Sequence, residues 1–231
     1  MRLWVGTSGY SYKEWKGSFY PEKIAADEML RYYGERLPAV EINNTFYRLP
    51  SESVLTAWAE RVPEDFRFSI KASRRITHIK RLKNASDETT YLLRALAILG
   101  PRLGAVLFQL PPNLRKDLAR LESFLDLIPE ETPTAFEFRH QSWFDDEVLE
   151  CLRSKGRALC AADTDEADPP AVIGTARWGY LRLRREEYSD TDLAHWANRV
   201  AGEGWKEAFV FFKHEEAGAG PRLAKRFLEL L

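Results

Sequence analysis

The chain has 231 residues, 45% of them hydrophobic and 30% charged, with a formal net charge of −1. This is a globular composition, long enough to bury one large core or two small ones. It excludes a disordered chain and any global field drawing the molecule to nucleic acid or anionic membrane, so such an attraction must come from a local patch.

The first residues, MRLWVGTSGY, hold no long apolar run. Neither a secretory signal nor a membrane span is expected there, and no later window reaches the roughly 18 unbroken apolar residues that a span requires. The expectation is a soluble cytoplasmic protein. Cys151 and Cys160 fit neither a zinc pattern nor a redox pair and read as reduced core thiols.

Strand, loop and helix alternate along the chain. Leu3 to Thr7 reads as a first strand and Asp27 to Arg36 as a helix. Val40 to Asn43 is a second strand, and Ser51 to Val62 a helix set between Pro50 and Pro63. Arg67 to Ala72 is a third strand, followed by a basic loop. Ser86 is the expected N-cap of a helix that carries Leu92, Leu93, Leu96 and Leu99 and stops at Gly100. Gly104 to Leu110 is a fourth strand, ended by Pro111-Pro112. A helix near Lys116 to Leu127 leads to a fifth strand, Thr134 to Arg139. Ser142 and Asp145 have the spacing of a capping box for a helix that ends before Gly156. Ala158 to Ala162 and Gly179 to Leu183 are the sixth and seventh strands. Only an Asp/Pro-rich loop, TDEADPPAVIG, lies between them, so a short or missing helix is expected there. Ser189 and Asp192 open a helix through about Val200. Ala208 to Phe212 is the eighth strand, and Arg222 to Leu231 closes as a helix. Eight strands, nearly all followed by helices, predict one domain over residues 1–231, an α/β chain folded as a TIM-type (β/α)8 barrel.

Side chains alternate between the two faces of a strand. If the large apolar residues pack under helices, Glu41, Asn43, Ser69, Lys71, Gln109, Glu137, Arg139, Arg182, Arg184 and Lys213 point into the barrel. Asp163, at the end of the sixth strand, is placed with them. Most lie toward the C-terminal ends of their strands, the rim where barrel enzymes build their sites. A self-satisfied network, Glu41 with Lys71 and Glu137 with Arg139 or Arg182, would explain a single pair. Six strands sharing the feature favour a site. Lys71, Arg139, Arg182, Arg184 and Lys213 outnumber Glu41, Glu137 and Asp163, so the natural complement is an anion.

Five ordered motifs span almost the whole chain: GTSGYSYKEWKGSFYP (Gly6 to Pro21), EINNTFYRLP (Glu41 to Pro50), FSIKASRRITH (Phe68 to His78), LFQLPP (Leu107 to Pro112) and FEFRHQSW (Phe136 to Trp143). Together they resemble the YecE-like family of domains of unknown function. The resemblance implies a TIM-type barrel and no established reaction. It also implies an Asn-rich ending to the eighth strand. FFKHEEAGAGP stands there instead, so Lys213 and His214 take no role from it.

Tyr10, Trp15, Tyr47 and Trp143 offer aromatic faces for a base or a sugar ring, or pack the loops onto the barrel. The third loop, SRRITHIKRLK, holds Arg74, Arg75, Lys80, Arg81 and Lys83 beside His78. It suits phosphates and salt-dependent binding, or is a solvated basic loop. Glu41 and Glu137 are the acid/base candidates, with basic neighbours that should depress their pKa values. Lys71 suits a Schiff base if its own pKa is lowered. Three readings stay open. The first is an enzyme acting on a phosphorylated or nucleotide-like anion. In it Arg139, Arg182, Arg184 and Lys71 hold the anion, with Asn43, Gln109, Asp163, His78 and Lys213 around it. The second is a non-catalytic nucleic-acid binder. The third is a hydrolase with a divalent metal on Glu41, Glu137, Asp163 and one of His78, His140 and His214, which no HxH or HExxH spacing supports. No cofactor motif is present, and the oligomeric state is not legible.

Overall fold

The computed structural model describes residues 1–165 and 170–231. Its strands are β1 (Arg2–Ser8), β2 (Ala39–Ile42), β3 (Arg67–Lys71), β4 (Leu103–Gln109), β5 (Thr134–Glu137), β6 (Ala158–Asp163), β7 (Trp178–Leu183) and β8 (Glu207–Phe212). They pair in chain order, all parallel, and β8 closes on β1. Helices α1 (Met29–Gly34), α2 (Glu52–Glu60), α3 (Ser86–Leu96), α4 (Leu118–Leu125) and α5 (Asp146–Ser154) follow β1 to β5, and α6 (Asp190–Gly202) and α7 (Ala219–Glu229) follow β7 and β8. Part of the β6–β7 connection, residues 166–169, lies outside the described residues, and the described remainder carries no helix. The fold is therefore a TIM-type barrel. Among the described residues no helix is long and apolar enough to cross a membrane. Cys151 and Cys160 are free thiols.

Alternation divides the core into two layers. Val40, Ile42, Phe68, Ile70, Val106, Phe108, Phe136, Leu181, Leu183, Val210 and Phe212 join the helix-facing core. A second cluster fills the barrel interior, with Ala39, Ala105, Ala135 and Ala158 set against Trp4, Tyr180, Phe209 and Phe211. Small side chains on β2 and on β4 to β6 make room for aromatic ones on β1, β7 and β8. The interior is thus packed rather than hollow, with Arg2, Arg67 and Glu207 gathered around Trp4 at its N-terminal end and a larger polar layer at its C-terminal end.

Several helix starts differ from expectation. Ser189 and Asp192 do form a capping box on α6. Ser86, however, is the first helical residue of α3 and Ala85 is its cap. At α5 the cap is Asp145, whose carboxylate accepts from Val148 N, while Ser142 sits in a preceding 3-10 turn and accepts from Lys116 N. The Ser142–Asp145 spacing fits a capping box, but Asp145 is itself a good N-cap, one turn closer to the apolar stripe.

Between β1 and β2 the ladder holds an inserted side chain. Tyr33 Oη accepts from Thr7 N at 2.9 Å and donates to Ala39 O at 2.9 Å. A Cβ on Gly6 would stand 1.8 Å from that carbonyl oxygen and 2.9 Å from the hydroxyl, so only glycine lets the strands approach with the tyrosine in place. This junction aims Ser8 and Glu41 at each other.

Candidate functional site

Arg182 of β7 is the centre of the polar layer. Its side chain is 2% exposed, and those of Glu41 on β2 and Glu137 on β5 are 0% and 1% exposed. Arg182 Nη1 donates to Glu137 Oε2 at 2.6 Å, Nη2 donates to Glu41 Oε2 at 2.9 Å, and Nε pairs with Glu41 Oε1 at 2.8 Å. Glu41 also accepts from Ser8 Oγ (2.7 Å), Asn43 Nδ2 (2.9 Å) and Tyr180 Oη (2.9 Å). Glu137 accepts a further bond from Arg139 Nε at 2.7 Å. Asn43 Oδ1 and Gln109 Oε1 take weaker bonds from Arg182, at 3.2 and 3.4 Å. Three charges taken from water are costly, and this many partners is what makes such a cluster tolerable.

The electrostatics follow from the contacts. Burial alone raises the pKa of Glu137, but Arg182 and Arg139 outweigh it and hold the carboxyl at about 2. Burial likewise works against Glu41, and Arg182 with the Ser8 and Asn43 bonds brings it below the usual carboxylate range. Both carboxylates are ionised at neutral pH and are weak bases there. This runs against the general-base role expected of them, because the site spends their charge on Arg182. A carboxyl depressed from 4.5 to about 2 contributes stability that is present above pH 4.5 and is lost as pH falls toward 2. The expected acid denaturation has its steepest loss in that window, read by circular dichroism. Glu137→Gln should flatten it, and an unchanged acid limb in the variant would contradict the assignment.

Lys71, at the end of β3, has the opposite status. Its ammonium lies 4.4 Å from the Phe46 ring centroid and makes no hydrogen bond or ion pair among the described residues. Burial is the main cause lowering its pKa, Arg182 and Arg184 add to it, Glu137 and Glu41 oppose, and the result is about 8. Lys71 is thus not the partner of Glu41, since Arg182 has taken that place. Arg184, just beyond β7, is half-buried, and its Nε has no hydrogen-bond partner among the described residues. Its pKa is lowered by burial and then by Arg182. Among the described residues of this inner face, Lys71, Arg139, Arg182 and Arg184 meet only Glu41 and Glu137, a surplus of two positive charges when Lys71 is protonated.

Other expected residues are placed differently. Asp163 is fully buried, but it shares the parity of Leu159 and Ala161, which belong to the helix-facing core. Its Oδ2 accepts from Tyr188 Oη at 2.8 Å and pairs with Arg185 Nε at 3.0 Å, so it ties β6 to the segment after β7 and is no part of the anion site. Trp15 and Trp143 are fully buried and have no face to offer a ligand. Trp15 donates to Glu215 O at 2.9 Å, joining the first loop to the segment after β8, and Trp143 stacks on Phe138 and donates to Leu114 O at 2.7 Å. Lys213 is exposed beyond β8. Tyr47 is 72% exposed. His78 sits in a π-helical turn (Arg75–Ile79), edge-on to Phe46, with Nδ1 bonded to Thr77 Oγ1. Burial, then Lys71 and nearby arginines, lower its pKa, so it is neutral at pH 7. In the basic loop Arg75 and Lys80 are both paired with Glu88.

A cleft of about 230 Å³ opens beside Glu41's partners, lined by Ser8, Tyr10, Asn43, Arg48 and Trp58 among others. Ser8, Tyr180, Arg48 and Trp58 were not singled out from the sequence. The first two share the inward parity of Trp4 and Arg182, a signal that alternation carries. Arg48 and Trp58 come from a loop and a helix with no such signal. The metal reading gains nothing: Glu41 and Glu137 are bound to Arg182, Asp163 faces away, and His140 Nδ1 accepts from Ser142 N. Among the described residues no group of three or more His, Cys, Asp or Glu is placed to hold a metal ion.

Comparison with known proteins gives a consistent family. The chain is 24% identical over 270 aligned positions to UPF0759 protein YunF of Bacillus subtilis (strain 168), covering 99% of this chain and 94% of that protein. It is 35% identical to UPF0759 protein YecE of Escherichia coli (strain K12) over 116 residues, which is 50% of this chain and 43% of that protein. The crystal structure of a DUF72 family protein from Thermotoga maritima MSB8 superposes with a TM-score of 0.88 at 28% identity, covering 100% of this chain and 99% of that one. A methyltransferase from Methanosarcina mazei, at 13% identity and a TM-score of 0.51, shares the fold alone. The family model described as "Protein of unknown function DUF72" matches residues 4–231, and the chain belongs to that family.

Proposed function

We propose that this protein is an enzyme that binds a small anionic ligand at the C-terminal mouth of its barrel, with Arg184 and Arg139 as the anion grip and Lys71 as the reacting group. The observation that carries this reading is the half-buried Arg184 guanidinium, unpartnered among the described residues, on a face with two surplus positive charges. An anion there restores the hydrogen bonds and charge that burial removed. Arg182 is excluded from the grip, because its donors are already committed to Glu41 and Glu137. Its role is to fix the floor on which the other groups stand. The cleft bounded by Tyr10, Asn43, Arg48 and Trp58 suits the organic part of the ligand, its rings giving apolar area and its amides orientation.

A nucleic-acid surface on loop 74–83 has less support. Arg75 and Lys80 share the single carboxylate of Glu88, and of the remaining Arg74, Arg81 and Lys83 it is Arg74, 5.9 Å from the exposed Tyr47 ring, that stands beside an aromatic face.

The test is titration with phosphate and pyrophosphate at low ionic strength, followed by thermal unfolding and calorimetry. At a hundredfold excess over Kd the gain is about 2.7 kcal/mol, or about 5–10 °C in a domain of this size. A midpoint unmoved by millimolar anion overturns the reading. Tight oligonucleotide binding that Arg74→Ala weakens and Arg184→Ala does not would favour the second one.

A further inference from the structure

The amine of Lys71 stands where a lysine would ordinarily be ion-paired. Two carboxylates share its barrel mouth, yet Arg182 and Arg139 occupy their oxygens, and the ammonium rests on the Phe46 ring instead. It lies at the C-terminal end of β3 on the inner face, half-buried, with Arg184 among the charges it feels. A lysine held against an apolar ring, with no counterion among the described residues and with Arg184 acting on it electrostatically, is set up to act as a nucleophile toward something negatively charged.

We propose that Lys71 forms an imine with the carbonyl group of a small anionic carbonyl compound, a 2-oxo acid or a phosphorylated aldehyde or ketone, whose anion lies on Arg184 and Arg139. This rests on reading the mouth as an anion site and adds to it the substrate class and the covalent step. The neutral amine nitrogen adds to the carbonyl carbon, forming a C–N bond. The carbonyl oxygen then leaves as water, carrying both hydrogens of the amine, and a C=N bond remains. No oxidant or reductant enters. Burial and the neighbouring arginines bring the ammonium down to about 8, so about a tenth of it is the reactive free base at pH 7. Surface lysines near 10.4 keep about a thousandth or less. Glu41 and Glu137 oppose the shift, and their commitment to Arg182 keeps them from cancelling it.

The experiment uses pyridoxal 5′-phosphate as a probe aldehyde, with cyanoborohydride to reduce any imine, and peptide mapping to locate the adduct. Pyridoxal, which lacks the phosphate, is the second arm. At one equivalent of probe the adduct is expected on Lys71, at least tenfold faster with the phosphorylated aldehyde, and rising with pH through about 8. Lys71→Arg, which keeps the charge, should abolish it, and Arg184→Ala should remove the advantage of the phosphate. Adduct spread over surface lysines with no preference for Lys71 overturns the proposal. If phosphate still raises the unfolding midpoint in that case, the anion site stands and only the imine is lost. Equal labelling of Lys71 by both aldehydes overturns the anionic substrate class and the anion grip with it.

Discussion

Replacing Arg182 by Met is expected to cost about 3–5 kcal/mol of folding stability, the range for removing one partner of a buried ion pair. The reason lies in what is left behind. Glu41 and Glu137 are both buried within the barrel and would lose the guanidinium they share. Glu41 would keep Ser8, Asn43 and Tyr180, and Glu137 would keep Arg139, so neither is orphaned as a hydrogen-bond acceptor. The loss is therefore of charge compensation, and it can be separated from packing. In the triple variant Arg182→Met, Glu41→Gln, Glu137→Gln the three buried charges go together, the part-exposed Arg139 exchanges its carboxylate partner for water, and most of the stability should return. Urea unfolding reads both through the midpoint at constant slope. A single-variant loss below about 1 kcal/mol would mean that water reaches the cluster and that the buried floor does not exist.

Arg184→Ala is expected to do the reverse. This guanidinium is half-buried with an unpartnered Nε, so removing it should leave folding stability unchanged or slightly higher. Affinity for phosphate should fall about 10- to 100-fold, the equivalent of about 1.5–3 kcal/mol for a charged hydrogen bond. A group that weakens the fold and strengthens binding is the mark of a site rather than of a structural network. Lower stability with unchanged affinity would assign Arg184 to the fold. Arg182 in β7 and Arg184 just beyond it, two residues apart, thus carry opposite expectations from one physical argument about who has a partner.

Much of this was legible in the residues. Strands such as VEIN, FSIK and YLRL put large apolar side chains at every second place, and that alone fixed which charges share the interior. β6 shows where the rule is hardest to apply. In its sequence ALCAAD, Leu159 is the one large apolar residue that sets Asp163 on the helix-facing side, a weak signal that the Tyr188 and Arg185 contacts make plain. The aromatics fail for a different reason: Trp15 and Trp143 look the same in sequence whether they face a ligand or fill a core. Their indole N–H bonds to distant carbonyls settle the matter, and those contacts are tertiary. The division of labour among the charges was the least legible part. Composition shows a basic excess. Only the geometry shows that Arg182 absorbs both carboxylates and so leaves Lys71 and Arg184 without a counterion among the described residues.

That last point is the centre of the account, and the titration of Lys71 tests it most directly. Lysine labelled with 13C at Cε reports each amine by NMR, and Lys71→Arg identifies the resonance. We predict a midpoint near pH 8 for Lys71 in the free protein. It should move upward when phosphate is added, because a bound anion favours the ammonium. A midpoint at the ordinary lysine value, unmoved by phosphate, would show the amine to be solvated or already paired, and would contradict the site as described.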